Sequence, residues 1–104
     1  MVDTAAPSNS YEFYAGHLRQ VFSVAVGAEG SSVDMTLMEA RRRPPRVVAG
    51  IRAEPFVLYF KSQSHVLLPQ QMYPFKIGSE KPYGIFIVPV GRERDGVIYE
   101  AVFN

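Results

Sequence analysis

Cysteine is absent from this 104-residue chain. That excludes disulfides, thiolate metal sites and cysteine nucleophiles together. Small secreted domains often lean on disulfides, so the absence points to a reducing, cytoplasmic compartment. Histidine is nearly as scarce. His17 and His65 are the only two, neither stands in a His-x-x-x-His pair, and no metal or other cofactor is expected. Net charge is small as well: 11 Lys and Arg against 10 Asp and Glu leave +1. That argues against a whole-surface grip on nucleic acid or an anionic membrane. No apolar run approaches the roughly 20 residues that span a bilayer. The segment from Met1 to Ser10 has neither the positive start nor the apolar stretch of a signal peptide.

What remains is an ordinary globular composition, 47% hydrophobic and 20% charged, in a chain of one-domain size. Residues 1–9 are small and polar and read as a mobile tail, leaving 10–104 as a single β domain. Ser10 is a candidate N-cap for a short helix, with Phe13, Ala15 and Leu18 turned inward and Gly16 as its stop. Beyond it the period is two. Phe22, Val24 and Val26 alternate with Val21, Ser23 and Ala25. Val33, Met35 and Leu37 alternate with Asp34, Thr36 and Met38, so Gln20–Val26 and Ser32–Ala40 form a hairpin. Pro44 and Pro45 forbid ladder donors and break the pattern. Val47 to Ile51 is a short strand or part of that loop. Phe56–Lys61 and Met72–Ile77 are strands, the second carrying Pro74 at a solvent edge or bulge. Six or seven strands, separated by regular turn signals, predict a mainly β fold: an antiparallel sandwich or a partly open barrel with one short N-terminal helix.

The chain closes with two apolar runs, Phe86–Val90 and Val97–Phe103, around Gly91-Arg92-Glu93-Arg94-Asp95-Gly96. That loop lacks the Gly-Lys-Ser/Thr ending of a phosphate loop and leads into a strand, so it is a hairpin loop. Pairing Val90 with Val97 sets Val88 opposite Tyr99 and Phe86 opposite Ala101, and places Ile87 opposite Glu100. Both faces are then apolar except for Glu100, and both need cover.

Val88-Pro89-Val90-Gly91, Asp95-Gly96 and Tyr99-Glu100-Ala101-Val102-Phe103-Asn104 resemble the ending of a family of short, uncharacterised bacterial proteins, a domain of unknown function. Glu54–Phe60 and Leu68–Tyr73 are similar to two further segments of it. Gln71, where the family carries glycine, and Pro74 depart from its pattern. The family has no assigned activity or catalytic residues to carry over. The association of similar genes with phage-tail-collar-like proteins implies a structural or assembly role.

The candidate chemistry is sparse. Arg41, Arg42, Arg43, Arg46 and Arg52 form a cationic stretch, read either as a solvated loop or as a patch for an acidic partner or a phosphate backbone. Aromatics are not interleaved with it, which argues against single-strand stacking. Glu100 is either a paired carboxylate at a strand edge or a binding group in a pocket, and Tyr99 is a further candidate binding residue. No pair of groups with matched acid and base roles can be named, so the expectation is a non-catalytic protein with a protein partner or self-association. The alternative is a barrel that binds a small molecule or carbohydrate through Glu100 and tyrosines inside it.

Overall fold

The computed structural model of the chain describes residues 10–27 and 30–104; the expected tail over 1–9 lies outside them. Helix α1 (Tyr11–Ala15) starts at the expected cap. Ser10 is extended and its Oγ accepts the Phe13 N–H at 3.1 Å, satisfying a donor the helix itself cannot. Gly16 ends it, in a right-handed conformation. The inward residue is Tyr14, fully buried, while Phe13 is half-buried and Leu18 exposed. A helix of five residues is little more than one turn, so it commits one side chain fully.

Eight strands follow: β1 (Val21–Ala25), β2 (Ser32–Arg42), β3 (Arg46–Val48), β4 (Ile51–Ala53), β5 (Phe56–Ser62), β6 (Gln71–Lys76), β7 (Tyr83–Glu93) and β8 (Gly96–Phe103). Six of them close an antiparallel barrel in the order β1-β2-β5-β8-β7-β6, and β3 and β4 form a separate two-stranded ribbon. The barrel is closed rather than partly open. Its seam is thin, because β1 meets β6 only through Ser23–Lys76 and Val24–Phe75. The ladder stops beside exposed Pro74, which has no N–H to extend it.

Period-2 alternation turns Phe22, Val24, Met35 and Leu37 inward as expected, and Leu58 and Phe60 with them. Two bulges then change which residues face the core. The β2–β5 register shifts between Leu37 and Glu39, so Met38 is the extra residue and Ala40 takes the inward place. The β7–β8 register shifts between Pro89 and Gly91. Val97 therefore pairs with Arg92, Tyr99 with Pro89, and Glu100 with Val88. The expected pairing of Val90 with Val97 is wrong, and an error of this kind exchanges faces. Ile85 and Ile87 point into the barrel, whereas Phe86 and Val102 are exposed. The outer face is thus left uncovered, and the turn shrinks to Arg94-Asp95.

Each barrel mouth is plugged. At one end Tyr14 meets Phe22, Phe56 and Phe103, and the last two rings stack at 4.6 Å. At the other, topology supplies the plug. β5 and β6 stand three places apart around the ring in either direction, so residues 63–70 have to cross the mouth. Leu68 is buried in the core on the way.

Candidate functional site

The barrel partitions the groups singled out in the sequence. Tyr99 and Glu100 are neighbours on β8 and so point to opposite faces. Tyr99 is fully buried, and its Oη accepts the Leu68 N–H at 3.0 Å. Tyr73 Oη donates to the Pro69 carbonyl at 2.7 Å. These two hydroxyls pin the mouth-crossing segment, so Tyr99 is architectural. Tyr99→Phe should cost about 1–3 kcal/mol, because it strands a buried N–H. Urea denaturation will measure the loss, and faster hydrogen exchange at the Leu68 amide will locate it.

Glu100 lies on the outer wall, half-buried, and accepts from Tyr59 Oη at 2.9 Å. That bond, with burial and the carboxylate's charge behind it, raises the Tyr59 pKa. The Arg41 guanidinium sits 5.8 Å from the centre of the Tyr59 ring. Glu100 is therefore a paired carboxylate that does not open into the barrel. A pocket joining it to Tyr99 does not form.

The arginine cluster is real but divided, because consecutive strand residues alternate between faces. Beyond the bulge, Arg41 pairs with Val57 on the outer face and Arg42 with Phe56 at the rim. Arg41 reaches Glu39 at 2.6 Å. Arg42 reaches Glu12 at 2.7 Å, lies 4.2 Å from the Tyr11 ring centre, and is 3.8 Å from Glu54. Glu12 is held below the usual carboxylate range by backbone and Arg42 hydrogen bonds. Arg52 is 3.5 Å from Glu54. Arg43 and Arg46 form no ion pair among the described residues.

Arg43 leads to the feature that sequence reasoning left open. β3 and β4 pair through Arg46–Ala53, Val47–Arg52 and Val48–Ile51. Their turn, Ala49-Gly50, has both residues at positive φ, 52° and 79°, the geometry that suits a two-residue hairpin. Alanine there is the strained choice, which is why the segment carries no clear turn signature. Val47, Val48 and Ile51 are 65%, 63% and 71% exposed.

A second polar group went unforeseen. The Lys61 side chain is only 19% exposed and its Nζ lies 3.0 Å from Glu93 and 2.8 Å from Asp95, tying β5 to the β7–β8 turn. Asp95 is held below its ordinary value of 3.8, first by the Lys61 hydrogen bond. Lys61 is raised above 10.5, first by its hydrogen bond to Asp95. The Asp95 contribution is complete above pH 3.8 and lost as pH falls through the folded-state value. The Lys61 contribution is complete below pH 10.5 and lost as pH rises past its raised value. A carboxyl-carbon NMR titration should place Asp95 below 3.8, and Lys61→Met should return it toward that figure. An Asp95 midpoint that Lys61→Met does not move would remove the tie.

His17 Nδ1 is 2.7 Å from the Phe13 carbonyl, and His65 is exposed. Among the described residues no cluster of three His, Cys, Asp or Glu could hold a metal ion, and no helix is long and apolar enough to cross a membrane. Four clefts of 230 to 380 Å³ open on the outer wall and rims.

Together these features define a class: a small closed antiparallel barrel with a core of packed side chains, its charged groups outside and an apolar ribbon projecting from one rim. Within it, the chain belongs to the family described as domain of unknown function DUF6916, which matches residues 10–103. No curated protein and no solved structure matches the chain.

Proposed function

We propose that the protein is a non-catalytic assembly or interaction domain that docks through the β3–β4 ribbon. The carrying observation is the exposure of Val47, Val48 and Ile51 together. Two-stranded hairpins are marginal alone in water, and covering each of these side chains is worth about 1.5–3 kcal/mol. A protein partner, or a second copy, would supply the cover. The gene association of the resembling family makes a phage-tail-related accessory of a bacterial cytoplasm the first setting for such a partner.

The alternative, a barrel with a small-molecule or carbohydrate site inside, finds no support in the geometry. Glu100 is outside, and of the interior tyrosines Tyr99 is tied to Leu68 and Tyr73 to Pro69.

The test is the double variant Val48→Thr/Ile51→Thr, which keeps β-branched residues on the ribbon. Its stability should stay within about 0.5 kcal/mol of the parent chain, as for other surface changes. Association should be lost, seen by light scattering after size exclusion if the partner is a second copy and by co-purification from the native host if it is another protein. A parent chain that is strictly monomeric and retains the same proteins as the double variant would defeat the proposal.

A further inference from the structure

The two faces of the ribbon are unequal. Register sets Arg46, Val48, Ile51 and Ala53 on one face and Val47 with Arg52 on the other. Arg46 also belongs to a cleft between ribbon and barrel, shared with Arg43, Pro44, Pro55, Val102 and Asn104. The cleft encloses 230 Å³, below the roughly 300–1,000 Å³ of sites that engulf a drug-sized ligand. It is on the scale of one large side chain. Pro44, Pro55 and Val102 make it apolar, and at its edge stand the two arginines of the cluster without an ion pair among the described residues. The other three already hold carboxylates. Positive charge left over is therefore concentrated beside an apolar hole. β3 and β4 pair only with each other, so each leaves an outer edge without a strand partner, the arrangement that accepts an added extended chain.

We infer that this cleft and the Val48–Ile51 face receive a short, extended, acidic segment of a partner protein. One large apolar side chain fills the cleft, and flanking carboxylates meet Arg43 and Arg46. The inference rests on the interaction reading above and adds the chemistry of the partner. A second copy docked symmetrically, ribbon to ribbon, would bring the unpaired arginines toward their own kind, which costs affinity. Nucleic acid is disfavoured on magnitude. Two unneutralised cations give a salt slope of only about −1.8 on duplex DNA, and the cleft offers no aromatic face for stacking.

A random peptide library displayed on phage and selected against the whole chain tests this. Enriched sequences should combine one large apolar residue with flanking Asp or Glu. Synthetic versions, measured by fluorescence anisotropy, should bind Arg43→Glu/Arg46→Glu at least about tenfold more weakly. Arg92→Glu/Arg94→Glu, the same charge change at the far end of the barrel, should leave affinity unchanged. If the charge-reversed variant fails to fold, Arg43→Gln/Arg46→Gln serves the same arm. Enrichment of apolar peptides without acids, lost in Val48→Thr/Ile51→Thr, would overturn the acidic partner while leaving ribbon docking intact. No enrichment, or peptides indifferent to both the arginine and the ribbon variants, would overturn the inference. So would tighter binding of a DNA or RNA oligonucleotide with a salt slope well beyond two phosphates.

Discussion

Gly96→Ala should leave little folded protein. Gly96 is buried at the start of β8, just beyond the last β5–β8 pair, Ser62–Val97. A Cβ on Gly96 would run into the Ser62 carbonyl oxygen, with the Ser62 carbonyl carbon at 2.9 Å and the Gln63 Cα at 3.2 Å. Every one of these atoms is backbone. Ser62 is itself 1% exposed, and its Oγ accepts the Ser64 N–H at 3.0 Å where the mouth-crossing segment sets off. Neither side of the contact can swing away as a flexible side chain would. Overpacking typically costs about 1–3 kcal/mol and more when the obstacle cannot yield. That is a large part of the roughly 5–15 kcal/mol that holds a domain together. Thermal and urea melts of Gly96→Ala beside Gly91→Ala make the comparison. A Cβ on Gly91 meets only the Ile98 Cβ at 3.9 Å, an ordinary contact, so Gly91→Ala should unfold close to the parent chain. Equal melting of the two variants would show that β8 does not approach β5 this closely.

The alternation visible in β1 and β2 was enough to identify a β fold and to name Phe22, Val24, Met35 and Leu37 as one face of it, because burial on one face writes itself into every second position. The bulges at Met38 and Val90 leave no such mark. Val90 sits inside an apolar run and Met38 falls where simple alternation gives it the outer face, so nothing local says that either is left unpaired. Missing Val90 reversed Phe86 and Ile87. Missing Met38 hid which of Arg41 and Arg42 faces the wall and which the rim. The plug at Leu68 was hidden for a different reason. It follows from β5 and β6 lying across the barrel from one another, and that distance is a property of the whole ring. Of the candidate site, the arginine stretch was legible as a concentration of charge; Glu39 and Glu54 stand two residues from Arg41 and Arg52, but the pairing of Arg42 depends on Glu12 arriving from the helix. Tyr99 and Glu100 are both binding candidates in the sequence, and because consecutive strand residues point opposite ways the two belong to different faces.

Tyr14→Ala should be the most costly change outside the barrel strands, at about 3–5 kcal/mol by analogy with other large aromatic truncations. The helix that carries Tyr14 is too short to be stable alone, so the dependence is mutual: the barrel holds the helix, and the helix closes the barrel. Tyr14 is fully buried among Phe22, Phe56 and Phe103, one ring from each of β1, β5 and β8. Burial, with the Tyr83 phenol adding to it, pushes the Tyr14 phenol above the usual tyrosine range. Removing the ring opens a void bordered by three strands and also loosens Phe13, which packs edge-on against both Tyr14 and Tyr83. Urea unfolding should show a lower midpoint, and Tyr14→Phe, which keeps the ring, should lose much less. The ribbon variant Val48→Thr/Ile51→Thr provides the contrast. Its residues belong to the excursion between β2 and β5, at the same end of the barrel, yet their truncation should not move the midpoint. A Tyr14→Ala loss below about 1 kcal/mol would mean that the helix rests on the barrel without closing it. A large loss there beside none at the ribbon separates the apolar residues that hold the fold from those left available to a partner.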